Sequence, residues 1–218
     1  MQKFDTPTPI SAVIDIPAGR VQFIAADRAD TAVEVRPTDA SKARDVKVAE
    51  QTTVDYSGGV LRIEAKSKAL GNTGSIEVTV QLPAGSRVDA KAAAADFRGV
   101  GRFGDVTFEG AQSSIKIDEA ASARFTTQAG DVTVGRLTGP AEITTQQGAI
   151  QIDEASSGAV TLSTQSGDVS IGAAAGVSAS LDAGTSYGRI HNSLMNTGVA
   201  GLTIRATTAH GDIAARSL

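Results

Sequence analysis

The chain has 218 residues, of which 41% are hydrophobic and only 4% aromatic, with no Trp and no Cys. This length can bury one large all-β core or two small ones, and the missing cysteines exclude a disulfide framework, a thiolate metal site and a cysteine nucleophile. The formal net charge of −4 falls wholly in residues 101–218, which hold 7 basic and 11 acidic side chains against 13 and 13 in residues 1–100; with no Lys/Arg cluster, no nucleic-acid partner is expected.

Met1–Pro9 holds Lys3, Asp5 and two prolines but no apolar signal core, and no later stretch reaches the roughly 18 apolar residues of a membrane span. The expected location is cytoplasmic, with no membrane insertion. Ile14–Val21 reads as strand, Pro-Ala-Gly turn and strand, and Val80–Val88 echoes it, with Pro at the second turn position and Gly at the fourth. Between them Ala32–Arg36, Val46–Val54 and Val60–Ala65 have strand character, Ser57-Gly58-Gly59 reads as a turn, and Lys66–Gly74 as a long mobile loop. No window of eleven or more residues keeps apolar spacing at three and four, so almost no helix is expected.

From residue 95 a short phrase keeps returning: Gly130-Asp131-Val132, Gly148-Ala149-Ile150, Gly167-Asp168-Val169, Gly188-Arg189-Ile190 and Gly211-Asp212-Ile213. Its glycines are 18, 19, 21 and 23 residues apart, and Ser113-Ser114-Ile115 and Ala95-Asp96-Phe97 extend the series upstream to seven members. Such a period marks stacked units that each lean on the next. On either side of the phrase, as in Val160–Thr164 and Leu202–Ile204, apolar and polar residues alternate, which is the strand signature.

The expected fold is therefore all-β, a parallel β-helix-like solenoid with rungs of about 17–23 residues, each of two short strands and two turns, and right-handed by the crossover rule. Phe97, Ile115, Val132, Ile150, Val169, Ile190 and Ile213 would stack as one inward column. Gly99, Ile117, Val134, Ile152, Ile171, Asn192 and Ala215 would form its neighbour, in which Asn192 is a misfit. No Pro/Ser-rich linker interrupts the chain, so one continuous domain over 1–218 is expected, with the less regular residues 1–94 capping the regular repeats of 95–218.

The strand-plus-Pro-Ala-Gly segments, the serial Gly-Asp-Val phrases and the closing Gly211-Asp212-Ile213 together resemble the bacterial putative-adhesin family of β-strand-repeat proteins, a domain of unknown function. Phe4–Ile10 and Asp27–Pro37 resemble actinobacterial members, and the likeness runs across nearly the whole chain. The resemblance implies a β-strand solenoid and no established catalytic residues. The chain departs from the repeated Asp at Ser114, Ala149 and Arg189.

Four constellations carry chemistry. Asp96, Asp131, Asp168 and Asp212 occupy equivalent positions and would line up about 4.8 Å apart as a calcium ladder, but Ser114, Ala149 and Arg189 interrupt them, and Asp beside Gly commonly bonds its own backbone. Asp118-Glu119, Asp153-Glu154 and Asp182 could supply a carboxylate pair for glycoside hydrolysis, with Arg136 nearby, although only two tyrosines exist to form a sugar platform. His191 and His210 are the only near-neutral acid–base groups, and Ser163, Ser166 and Ser170 lack nucleophile-elbow spacing. Columns of Thr and Gln remain: Thr127, Thr145, Gln147, Thr164, Gln165 and Thr208 are expected to form a flat outward face that binds a protein or polymer, set against the plain alternative that Thr is simply a good strand former.

The expected function is a non-catalytic structural or interaction module, with no cofactor and no metal, monomeric or weakly homo-oligomeric. A polysaccharide-active β-helix enzyme and a self-assembling scaffold are the alternatives. The polar termini, with Lys3 and Asp5 at one and Arg216 and Ser217 at the other, speak against assembly through the ends.

Overall fold

A computed structural model describes residues 1–65 and 74–218. The expected mobile loop Lys66–Gly74 lies outside the described residues except for Gly74. Strands dominate, one helix is present among the described residues, and no helix there is long and apolar enough to cross a membrane. The chain separates into two compact units, Met1–Ser113 and Ser114–Leu218, where the sequence predicts one continuous domain changing character at residue 95.

The first unit is built on one long strand. β1 is Gln2–Asp5, β2 Ser11–Ala26 and β3 Asp30–Pro37; α1 is Ala43–Gln51; β4 is Thr53–Ser57, β5 Val60–Glu64, β6 Ile76–Pro83 and β7 Arg87–Gln112. β2 pairs in parallel with β7 along nearly its whole length, and on its other side with β5 at Ser11–Asp15 and β6 at Gly19–Ala26. Antiparallel β3 and then β1 extend the sheet beyond β6. The alternation read from the sequence puts Ile14, Ile16, Val21 and Phe23 of β2 inward with Val78, Val80 and Leu82 of β6, all at most 2% exposed. Phe23, Phe97 and Phe108 follow one another through this core with ring centroids 5.7 and 5.3 Å apart. Residues 95–101 of β7 are still partners of β2, which carries the first unit past residue 94.

Two local expectations differ. The first Pro-Ala-Gly is no turn: Pro17–Gly19 lies inside β2, where both flanks keep their parallel partners on β7. The second is a turn, closed by Ser86, whose N–H and hydroxyl both bond Pro83 O, at 3.3 and 2.7 Å. Val46–Val54 is not one strand. Ala43–Gln51 is helical, because Ala, Arg, Lys, Glu and Gln are strong helix formers, and buried Asp45 ties the helix to the Ser75 N–H at 3.0 Å. Ala32–Arg36 and Val60–Glu64 are strands as expected. Ser57 and Val60 close a two-residue hairpin over Gly58 and Gly59, whose φ of 59° and 79° are those of the hairpin turn that glycine favours.

The second unit is two parallel sheets. β8 is Ile115–Thr126, β9 Val132–Leu137, β10 Ala141–Thr144, β11 Ile150–Ala155, β12 Gly158–Ser166 and β13 Val169–Ala173; β14 is Ala179–Tyr187, β15 Ile190–Ser193, β16 Leu202–His210 and β17 Ile213–Ser217. One sheet runs β8–β10–β12–β16–β14, using the last residues of β8. The other runs β8–β9–β11–β13–β17–β15, using its first residues. Every pairing is parallel and keeps the repeated phrase in register.

The layers do not stack in chain order. β16–β17 lies between β12–β13 and β14–β15, so the last repeat of the sequence is the penultimate layer. Burial explains the exchange. Leu202, Ile204, Ala206, Ile213 and Ala215 are wholly buried and suit a place covered on both sides, whereas β15, with His191 and Asn192, would bury polar groups there. The inward columns Ile115, Val132, Ile150, Val169, Ile213 and Ile117, Val134, Ile152, Ile171, Ala215 are at most 1% exposed. Ile190, expected in the first column, is 47% exposed because, among the described residues, no further layer is stacked on its own.

Candidate functional site

The repeated turn of the second unit is built from three side-chain types. Gly130, Gly148, Gly167, Gly211 and Gly188 form a column in layer order, and a Cβ on any of the last four would collide with the carbonyl oxygen of the glycine in the layer before it. This close approach is what fixes glycine in the phrase. Threonine hydroxyls then bond the turn carbonyls. Thr164 donates to Gly148 O at 3.1 Å, Thr208 to Gly167 O at 3.0 Å and Thr185 to Gly211 O at 3.0 Å, all from layer to layer. Thr127 and Thr145 bond within their own turns, to Ala129 O and Gln147 O, both at 3.2 Å.

Four residues of the expected outward face therefore point inward. Thr127, Thr145, Thr164 and Thr208 are 2%, 1%, 4% and 6% exposed, so their hydroxyls are out of reach of a partner; Gln147 and Gln165 are on the surface. Parity is the reason. Each of these threonines follows a buried core residue, Phe125, Ile143, Leu162 or Ala206, by two positions and so shares its face. The outward hydroxyls belong one residue earlier. Thr126, Thr144, Ser163 and Thr207 are direct cross-strand partners in one row, with the Thr207 hydroxyl 3.2 Å from Ser163 Oγ. Beside them runs a charged row in which Arg124 pairs with Glu142 at 3.4 Å and Arg205 with Asp182 at 3.7 Å.

The Asp series bonds backbone. Asp131 Oδ1 accepts the Ala149 N–H at 2.8 Å, Asp168 Oδ1 the Asp212 N–H at 2.7 Å, and Asp212 Oδ1 the Arg189 N–H at 2.8 Å. Arg189 also folds its guanidinium onto Asp212 Oδ2 at 2.8 Å. This contact holds the Asp212 carboxyl below its ordinary value and raises that of the Arg189 guanidinium. Asp96 stands in the first unit, on β7 opposite Arg20. Among the described residues no three His, Cys, Asp or Glu side chains are placed to hold a metal ion.

The second acidic set separates. Glu119, Arg136 and Glu154 face one another across β8, β9 and β11, with Arg136 bound to Glu154 at 3.2 Å, and Asp153 accepts from the Gln151 amide at 2.6 Å. Asp182 belongs to the other sheet. The histidines are divided in the same way: His191 is on β15 and exposed, while His210 at the end of β16 stacks on Tyr187 with centroids 5.0 Å apart and planes 10° from parallel.

In the first unit, an open cleft of about 360 Å³ lies where β2, β6 and β7 meet. Its polar lining is largely self-satisfied: Arg20 binds Glu77 at 3.2 Å, and the Thr38 and Ser75 hydroxyls lie 2.9 Å apart. Close by, Asp39 is lowered to about 2 by hydrogen bonds from the Ser41 hydroxyl and N–H and from Lys42.

No curated protein matches the chain. Among solved structures it is similar to a putative cell adhesion protein from Clostridium sporogenes, at 11% identity over 100% of this chain and 98% of that one with a TM-score of 0.41. It is also similar to a putative adhesin from Bacteroides fragilis, at 14% identity over 98% and 95% with a TM-score of 0.47, and to one from Parabacteroides distasonis, at 11% over 98% and 95% with a TM-score of 0.44. The model of one family, Toastrack DUF4097, matches residues 12–217, nearly the whole chain, and the protein belongs to that family.

Proposed function

We propose that the protein is a non-catalytic, adhesin-like interaction module whose second unit coils as a right-handed parallel β-solenoid and presents a flat polar face to a protein or polymer. The observation that carries this reading is where the repeat spends its reactive groups. The carboxylates of Asp131, Asp168 and Asp212 and the buried threonine hydroxyls are bonded to the backbone of their own or the adjacent layer. Groups held in this way stiffen a scaffold and are not free for acid–base work. The outer row Thr126, Thr144, Ser163 and Thr207, with exposed Gln147 and Gln165, then supplies hydrogen-bonding groups at strand spacing on a rigid support.

The test is affinity co-purification from the native host with wild-type protein and with Thr144→Lys/Gln165→Lys. Both positions are exposed, so the variant keeps its melting temperature. A partner held by the wild type and lost by the variant supports the face; equal capture by both, or capture by neither, overturns it.

A further inference from the structure

The exchange of the last two layers leaves β14–β15 as an outer edge of the second unit. Among the described residues β14 pairs only with β16 and β15 only with β17, so one side of each strand keeps its backbone groups unpaired. The loop that follows reaches only the start of this edge, where Met195 O accepts the Ala179 N–H at 2.9 Å. Of the six large apolar side chains that stand exposed among the described residues, four (Tyr187, Ile190, Met195 and Val199) lie on this layer and its loop. Ile190 shows the cause: Ile213, its partner in the layer beneath, is fully buried, while Ile190 is 47% exposed.

We infer that this edge is an interface for a second copy of the chain, joined end to end through a two-fold axis that lays the outer layer of each copy against that of the other. A β-strand is the ligand whose N–H and C=O groups alternate at the spacing the edge offers. The charges favour an identical partner. Asp182 and Arg189 are the only Asp, Glu, Lys or Arg side chains in residues 179–193, and each is already compensated by the layer beneath, through Arg205 at 3.7 Å and Asp212 at 2.8 Å. Two copies therefore meet without uncompensated like charge, while a strongly charged partner gains nothing. The stretch also contains no Lys and no Pro, the residues that proteins place on edges to prevent such pairing. Ala179–Val199 supplies about the 20 residues per side of the smallest stable interfaces, and the association expected of it is weak and reversible, about micromolar. The termini, whose polarity speaks against end-to-end assembly, are not the edge: Arg216 and Ser217 belong to the penultimate layer.

Sedimentation equilibrium of the purified protein over a rising concentration series tests this. The expected result is a reversible shift from monomer to dimer mass. Ile190→Lys should weaken association at least tenfold, Val199→Lys should also weaken it, and Gln151→Lys, at an exposed position on β11 three layers from the edge, should leave it unchanged. Val199 is 86% exposed, so its substitution cannot act by unfolding the protein. A monomer at all concentrations up to about 100 μM, where a micromolar interface would be formed, overturns the proposal. So does an open-ended series of larger species, or a dimer indifferent to both edge variants. Because the measurement uses purified protein alone, its failure leaves the polar-face reading standing, and the failure of that reading leaves this one.

Discussion

Asp168 accepts the backbone N–H of Asp212 at 2.7 Å across a sequence separation of 44 residues, passing over the intervening repeat that carries Arg189. Asp212 then accepts the Arg189 N–H at 2.8 Å. The two bonds follow the order of the layers and not the order of the chain. Removing the first of them should loosen the attachment of the C-terminal repeat. Asp168→Ala is expected to cost about 1 kcal/mol, or about 2–4 °C in melting temperature for a chain of this size, while Asp168→Asn, which keeps an acceptor, should lose less. Equal melts for the Ala variant and the wild type would show that the bond contributes nothing.

The glycine column makes a sharper prediction, because two glycines with positive φ have different surroundings. Gly167, at φ 148°, has no room for a Cβ against the Gly148 carbonyl, whereas Gly176, at φ 77°, has nothing within 4 Å. Gly176→Ala pays backbone strain alone, about 1 kcal/mol. Gly167→Ala adds a collision with backbone that cannot rotate aside, so its cost should reach about 3 kcal/mol or more. Urea unfolding midpoints decide it: similar losses at the two positions would mean that the layers separate easily at the turn.

Much of this architecture is legible in the sequence, and the parts that are not share a cause. Period-two alternation and the recurring phrase identify most of the strands and, apart from Ile190 and Asn192, the inward columns of the second unit, since each is set by local pattern. Layer order is not local. Every repeat offers the same phrase, so any repeat can in principle stack on any other, and only the polarity of His191 and Asn192 against the apolar Leu202, Ile204 and Ile213 marks which belongs at the edge. Arg189 standing where an Asp is expected was a signal as well, because it finds Asp212 and not a carboxylate of the preceding repeat. The inward threonines were readable from parity, but a hydroxyl suggests solvent, and the turn carbonyls that bind it appear only once the layers are stacked. The helix over Ala43–Gln51 is too short for its periodicity to outweigh Val46 and Val48, which alternate as in a strand.

Two neighbouring threonines, one ending β10 and one just after it, separate the two faces directly. Thr145→Val keeps volume and branching but deletes a buried hydroxyl and leaves Gln147 O without that donor, for an expected loss of about 1 kcal/mol. Thr144→Val, on the exposed row, should stay within about 0.5 kcal/mol of the wild type. Chemical denaturation of the pair checks both values, and a larger loss at Thr144 would reverse the assignment of faces.

The contact between Arg189 and Asp212 should appear in the pH dependence of stability. Hydrogen bonds from the Arg189 guanidinium and N–H lower the carboxyl of Asp212 below its ordinary 3.8, so the folded state holds the ionised form more strongly than the unfolded chain does. The stabilisation is therefore complete above the unfolded value, near pH 4, and is lost as the pH falls through the lower folded value. Asp39, at about 2, adds acid sensitivity of the same sign, but a difference between wild type and variant cancels it. Asp212→Asn should melt below the wild type at neutral pH and approach it as the solution is acidified below about pH 4. Arg189→Gln, which keeps the N–H but removes the guanidinium, should show the same convergence with a smaller gap at neutral pH. A gap that stays constant from neutral pH into the acid range would mean that the carboxylate's charge takes no part in joining the last two layers.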